Sequence, residues 1–198
     1  SGLLTVPLGT TPGELQVDGS VLLQGSRFFD PRSGVALDSI GGELNYDRNG
    51  LKASGLDAVF KGKAAHLDVS ASRHADEKFR VDMRGTFDVK DILPGYLLDA
   101  YPLLDRIQGE SEWVVSVVVP TQLPGEDTKV NLVVASDLEG ITLGFPVPLF
   151  KPAGDSWPLQ LHYSLNGPTR LLDLELAGRM LFRLEVPQGQ SGVSAETV

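Results

Sequence analysis

The sequence predicts a mainly β protein built on antiparallel strands, and three observations predict it. Apolar and polar residues alternate through most of the readable chain, as in Phe79-Arg80-Val81-Asp82-Met83-Arg84 and Leu159-Gln160-Leu161-His162-Tyr163-Ser164. That period sends successive side chains to opposite faces of a half-buried strand. Turn-forming residues, above all Asp47-Arg48-Asn49-Gly50, separate the alternating stretches at short intervals and predict a meander of hairpins. A single stretch, Asp91–Arg106, carries its apolar residues at helical spacing instead.

Taken in chain order, Ser1–Thr10 has neither a basic start nor a signal-peptide pattern, and the chain reads as a piece cut from a longer protein. Leu15–Val17, Leu44–Tyr46 and Ala65–Val69 alternate, with Asn49-Gly50 expected to supply the positive φ angles of a tight turn. In Asp91–Arg106, the stripe Ile92, Leu93, Tyr96, Leu97, Ala100, Leu103 and Leu104 predicts one short amphipathic helix, with Asp91 as its N-cap. Pro94 is tolerated near the start, whereas Pro102 should kink or split the helix. Gly109 then resets the chain before a strand that is apolar on both faces. Trp113, Val115, Val117 and Val119 share one side of it and Val114 and Val118 the other, so it should be covered twice, once by the helix. Val130–Val134, Leu159–Leu165, Leu172–Leu176 and Phe182–Val186 complete the strands. The expected organisation is one continuous unit over residues 1–186, with a repeat-like unit at 13–89, the helix at 91–106 and a second strand set at 111–186. Residues 187–198 lose periodicity and read as a flexible tail.

Composition narrows the function. The 198 residues suit one large β domain, and a hydrophobic content of 41% is enough for a core. Lysine and arginine total 17 against 26 acidic residues, a formal charge of −9, so no basic footprint for nucleic acid is present. Zero cysteine removes disulfides and thiolate metal sites.

Catalytic equipment is equally sparse. The chain has no G-x-S-x-G elbow and no H-E-x-x-H. The glycines of "GLDAVFKGKA" from Gly55 are wrongly spaced for a phosphate loop, and Ala64 stands where one needs Ser or Thr. His66, His74 and His162 are scattered, the first and last at polar-face positions. Asp76-Glu77 reads as a solvated hairpin tip, and Asp173 and Glu175 as outward-facing charges. The expectation is a non-enzyme without cofactor or metal; a hydrolase would need a site assembled across the fold.

One-sided strands and a single short helix leave much apolar surface uncovered. It can close on itself as a β-sandwich, the ordinary solution and the one that pattern alone favours, or it can line an open groove. The run Phe145-Pro146-Val147-Pro148-Leu149-Phe150 is too short and too rich in proline for a helix or a central strand. It is expected to fold back as a lid or edge cover, with Leu143 helping to plug the apolar face.

Two stretches carry a resemblance. Gly34–Val69, with Ile40-Gly41-Gly42-Glu43-Leu44, Tyr46 and a polar hairpin at Gly50, resembles the glycine-turn unit of the AsmA-like proteins of Gram-negative bacteria. The second combines "LPGYLLDAYPLLDRIQGESEWVVSVVVP" with "SDLEGITLGFPVPLFKPAGDSWPLQL" and is similar to the YhdP-like branch of that family. Its marks are Gly109, Trp113, Pro120, Ser136, Asp137, Leu138, Gly140, Pro146, Pro148, Lys151, Gly154, Trp157, Pro158 and Leu159. The resemblance spans about Leu15 to Val186 and is carried mainly by Ser136–Leu159.

The resemblance implies a curved, half-open, taco-like sheet of repeating β-groove units in a bridge-like lipid transfer protein. Such a protein is anchored in the inner membrane, crosses the periplasm and moves phospholipid towards the outer membrane. This piece would be one section of the conduit, without the anchor. Its partners would be phospholipid acyl chains and neighbouring units of the same chain, with no nucleic acid. Groove-facing candidates are Phe79, Val81, Met83, Trp113 and Val115 from the middle of the chain, and Leu159, Leu161, Tyr163, Phe182 and Leu184 near its end. The runner-up is a closed scaffold domain of the cell envelope that binds no lipid.

Overall fold

A computed structural model describes residues 2–5, 16–31, 35–73, 76–92, 102–121, 130–164, 169–178 and 180–187. Its strands are β1 (Gly2–Thr5), β2 (Gln16–Asp30), β3 (Val35–Asp47), β4 (Gly50–Phe60), β5 (Lys63–Ser72) and β6 (Glu77–Asp88), then β7 (Ile107–Pro120), β8 (Asn131–Ser136), β9 (Ile141–Gly144), β10 (Phe150–Lys151), β11 (Leu159–Ser164), β12 (Thr169–Leu176) and β13 (Met180–Pro187). One helical turn, α1 (Val89–Ile92), and a 3-10 turn, Pro102–Arg106, lie between β6 and β7.

The strands form one antiparallel sheet in the order β1-β2-β3-β4-β5-β6-β7-β8-β11-β12-β13, with β9 branching from β7 and β10 from β9. Among the described residues the path ends at β1 and at β13 without closing on itself. Its apolar face stays half-exposed at Val69, Val81, Val117, Leu132 and Tyr163, so the sheet is an open groove sheet and not the β-sandwich that alternation alone favours. Alternation fixes which side chains share a face, but not whether that face meets a second sheet.

Three neighbouring strands each carry one extra residue. The register slips at Gly25 in β2, Ser39 in β3 and Gly55 in β4, and all three have positive φ, between 54° and 67°. A β-bulge bends its strand and adds twist, so three side by side crease the sheet. Each bulge also restores the inward face after two outward residues, as in Leu37-Asp38-Ser39-Ile40 and Ala53-Ser54-Gly55-Leu56, whose outer members are buried and inner pairs exposed. The Asp68 carboxylate accepts a hydrogen bond from the Gly55 amide at 2.8 Å, which satisfies the donor that the bulge frees from the ladder.

Several expectations are corrected. The predicted helix over 91–106 is described only at its ends. Its start is capped by Asp88, whose carboxylate accepts from the Lys90 amide at 2.8 Å, and Asp91 lies within the first turn. Residues 93–101 lie outside the described set, and Pro102 opens the separate 3-10 turn, where an amide-free residue is tolerated. Gly109 does not precede a strand but lies inside β7, which extends the second strand set back to Ile107. The turn at Asp47–Gly50 forms, with Asp47 paired to Gly50, but positive φ at Asn49-Gly50 is absent. Asp47 instead accepts hydrogen bonds from the Asn49 and Gly50 amides at 2.7 and 3.0 Å, an Asx turn. Gly50 is needed for space, since a Cβ there would meet the Ala71 carbonyl oxygen. Both central φ angles are positive instead at the two-residue turn Lys61-Gly62, at 50° and 81°, within the stretch rejected as a phosphate loop, and consecutive positive values recur at Ala177-Gly178, at 54° and 61°. Pro187 belongs to β13, paired with Thr169, and residues 188–198 lie outside the described set.

Candidate functional site

Cross-strand partners in an antiparallel sheet share a face, so the register identifies the apolar surface directly. One row runs Leu56, Leu67, Met83, Val115, Val134, Leu161, Leu174 and Phe182 across β4 to β13. The next runs Ala53, Val69, Val81, Val117, Leu132, Tyr163, Leu172 and, by backbone register, Leu184. Ala71, Phe79 and Val119 begin a third row, and Leu159, Leu176 and Met180 a fourth. Nine of the ten groove candidates thus fall in these rows. The tenth, Trp113, shares the face opposite Gly85 but belongs to its closed end.

Burial along this face is graded. Val69, Val81, Val117, Leu132 and Tyr163 are half-buried, shielded by one another, and Phe182 near the β13 edge is 46% exposed. One step along the strands, Leu56, Leu67, Met83 and Val134 are buried. Beyond them, towards the β4–β5 turn, the face closes over a core of Phe60, Phe87, Trp113, Ile141 and Leu143. Phe87 is 0% exposed, and its ring stands edge-on to Phe60 at a centroid distance of 5.4 Å. Trp113 Nε1 donates to the Phe87 carbonyl at 3.0 Å, so its one polar atom is paired inside the core. The hydrogen bond to Asp91 and then that to Glu110, both 2.8 Å, push the Lys63 pKa up to about 12; Asp91 belongs to α1, so this pair ties α1 to β5.

The opposite face is polar and largely self-paired across β5 and β6, while in β7 and β8 it carries the half-buried Val114, Val118 and Val133, in line with the apolar pattern on both sides of β7. Asp68 and Asp82 stand directly opposite each other, a repulsive placement that two arginines relieve. Arg84 reaches Asp68 at 3.0 Å and Arg80 reaches Asp82 at 2.8 Å. Burial raises the Asp82 pKa, but Arg80 and the Ser116 hydroxyl more than offset this and hold it below its ordinary value. His66 pairs with Asp57 at 3.1 Å and His162 lies opposite Asp173; both histidines are exposed, and His74 lies outside the described set. Asp173 is held by Arg183 at 2.6 Å. No group of three or more metal-ligating side chains occurs among the described residues. An open recess of about 750 Å³ near the β3–β4 turn is lined by Asp18, Asn45, Tyr46, Lys52 and Ser70 among others, and no histidine lines it.

The Ser136–Leu159 motif builds the closed end. β8 and β9 follow each other along one edge of β7, pairing with Val114–Val118 and Ile107–Gly109. Between them the chain turns at Asp137–Gly140. Ser136 Oγ donates to the Glu112 carbonyl and accepts from the Leu138 amide, at 2.8 and 3.0 Å. Asp137 accepts from Ser111 Oγ and the Glu139 amide, at 3.2 and 2.9 Å. Gly109 and Gly140, with φ of 109° and 93°, pack backbone to backbone; a Cβ on Gly109 would sit 2.2 Å from the Gly140 oxygen. The Trp157 amide donates to the Asp137 carbonyl at 2.7 Å, returning the chain to β11.

Lys151 is the residue whose part in this turn the sequence did not show. It is 0% exposed, and its Nζ donates to the carbonyls of Leu138, Ile141 and Pro152 at 2.8, 2.8 and 3.1 Å. Three donors meet three acceptors, which is what permits an ammonium to be buried. Burial lowers its pKa, and Asp155, Asp137 and Glu139 partly offset that.

Of the lid or edge candidates, Phe145 and Leu149 are half-buried, Phe145 against the core. Pro146 and Pro148 are exposed, Val147 is 87% exposed and Phe150 53%. Residues 145–149 form the loop of the β9–β10 hairpin, closed by the Leu149 amide on the Pro146 carbonyl at 2.9 Å. The plugging side chains are Ile141 and Leu143 of β9, both buried.

A model of the family described as YhdP protein matches residues 3–197. No curated protein and no solved structure matches the chain.

Proposed function

The chain belongs to the YhdP family, and from that premise we propose that it is a section of a lipid conduit that shields phospholipid acyl chains on their way between the two membranes of a Gram-negative envelope. The observation that carries this reading is the pair of unbroken apolar rows crossing β4 to β13 on a sheet that, among the described residues, does not close. Acyl chains laid on these rows bury apolar surface worth about 25 cal/mol per Å², while a phosphate head group stays in water. Such a surface selects for chain apolarity and not for a head group, in keeping with a polar face whose arginines are engaged by neighbouring carboxylates.

The section lies in the periplasm as part of an inner-membrane-anchored protein, continuous with neighbouring groove units of the same chain. No helix among the described residues is long and apolar enough to cross a membrane. The protein is not an enzyme in this reading; its work is shielding.

Native mass spectrometry of the purified chain, with extraction of bound lipid, tests the proposal. Leu161 and His162 are neighbours on opposite faces of β11, so Leu161→Asp and His162→Asp place the same charge on the groove face and on the outer face. Phospholipid on the wild type and on His162→Asp, lost from a folded Leu161→Asp, is the expected result. Lipid-free wild type, or equal loss from both variants, would reject the conduit and leave an envelope scaffold.

A further inference from the structure

We propose that the β9–β10 hairpin is a latched flap over the closed end of the apolar face, able to open without the rest of the sheet unfolding, and that Lys151 is its latch.

The attachment is narrow. Among the described residues, β9 pairs with β7 only over Ile107–Gly109, and β10 pairs only with β9, through Phe150 and Lys151. At one end of the hairpin lies the turn containing Leu138 and Gly140, both at positive φ, and at the other the Pro152–Asp155 turn, closed by a 3.2 Å hydrogen bond. The tip is solvent-facing at Val147 and Phe150 and is held by no packing of those side chains into the core.

The latch joins both ends. Lys151 Nζ bonds Leu138 and Ile141, which flank the first turn, and Pro152 in the second. The Leu138 oxygen also accepts the Ile141 amide at 3.1 Å. Removing the ammonium takes a donor from all three carbonyls at the seam where the flap joins the sheet, and of these the Leu138 oxygen keeps the Ile141 amide. Opening frees Ile141 and Leu143 and uncovers the Phe87 and Trp113 surface, which continues the apolar rows. Where lipid occupies those rows, which rests on the reading above, the open flap widens the track by that aromatic surface.

Hydrogen exchange of the whole chain without lipid tests the flap independently of transport. In the wild type under low denaturant, amides of Ile141–Gly144 should exchange through a sub-global opening whose dependence on denaturant is clearly smaller than that of global unfolding, since it exposes only the flap and the surface beneath it, while those of Ala53 and Leu67 exchange only with global unfolding. Lys151→Met keeps the apolar stem and deletes the ammonium; it should speed exchange in β9 and β10 by roughly a hundredfold and leave β4 to β6 unchanged. Lys63→Met, a paired lysine outside the hairpin, should leave the hairpin unchanged. Merging of the wild-type hairpin amides with global unfolding overturns the flap, and unchanged hairpin exchange in a folded Lys151→Met overturns the latch. If Lys151→Met does not fold, the wild-type denaturant series alone decides.

Discussion

Phe87→Ala and Leu161→Ala remove apolar side chains from the same face of the same sheet, and their costs should differ about fourfold. Phe87 has no exposure, lies over Gly85 and stands against Phe60. Truncation there leaves a cavity enclosed on all sides, and a loss of about 4 kcal/mol is expected from transfer, cavity and aromatic contact together. Leu161 is half-buried, between Val134 and Leu174. Water can fill the space it vacates, so the cavity contribution vanishes and roughly half of the transfer value remains, about 1 kcal/mol. At about 2–4 °C per kcal/mol for a chain of this size, Phe87→Ala should lower Tm by about 12 °C and Leu161→Ala by about 3 °C. Urea titration with calorimetry on lipid-free protein measures both. Comparable losses, each near 4 kcal/mol, would mean that Leu161 is enclosed like Phe87, and the open face would be refuted.

Three further outcomes follow from individual contacts. Gly109→Ala forces a Cβ to within 2.2 Å of the Gly140 oxygen at a φ of 109°, and should cost more than about 3 kcal/mol by urea titration. Asp47→Ala deletes the acceptor for the Asn49 and Gly50 amides and should cost about 1 kcal/mol, with faster exchange at the β3–β4 turn. Asp82 has a folded pKa below its ordinary value, so it stabilises the fold above a pH of about 4 and loses that contribution as pH falls through the folded value. Asp82→Asn should therefore flatten the acid limb of a stability-against-pH curve while lowering stability at neutral pH by about 2 kcal/mol.

Period two carried most of the fold into view. It placed Phe79, Val81 and Met83 on one face and Leu159, Leu161 and Tyr163 on another stretch of that face, and the register joins them through Val115, Val117, Val134 and Leu132. The bulges were hidden because an inserted residue reads as a break in alternation: Ala53-Ser54-Gly55-Leu56 looks like a turn until partners on both sides hold it in the ladder. Gly109 and Gly140 read as ordinary punctuation, since nothing in one sequence says that two glycines thirty-one positions apart lie back to back. Lys151 stood out only through the family resemblance. A lysine beside three prolines reads as solvated, and its burial depends on three carbonyls that long-range turns bring together. Open versus closed was undecidable from alternation because both architectures use the same inward residues; what separates them is that Val69, Val81, Val117, Leu132 and Tyr163 on that face stay half-exposed and not enclosed.

The most direct test of the central claim is cross-linking with a phospholipid that carries a photoreactive diazirine on its acyl chain, followed by mapping of adducts on the intact chain. The account predicts adducts on Val81, Val117, Leu161 and their row neighbours, with His162, Arg84 and the outer face unlabelled. Adducts spread evenly over both faces, or none above a soluble diazirine control, would contradict it.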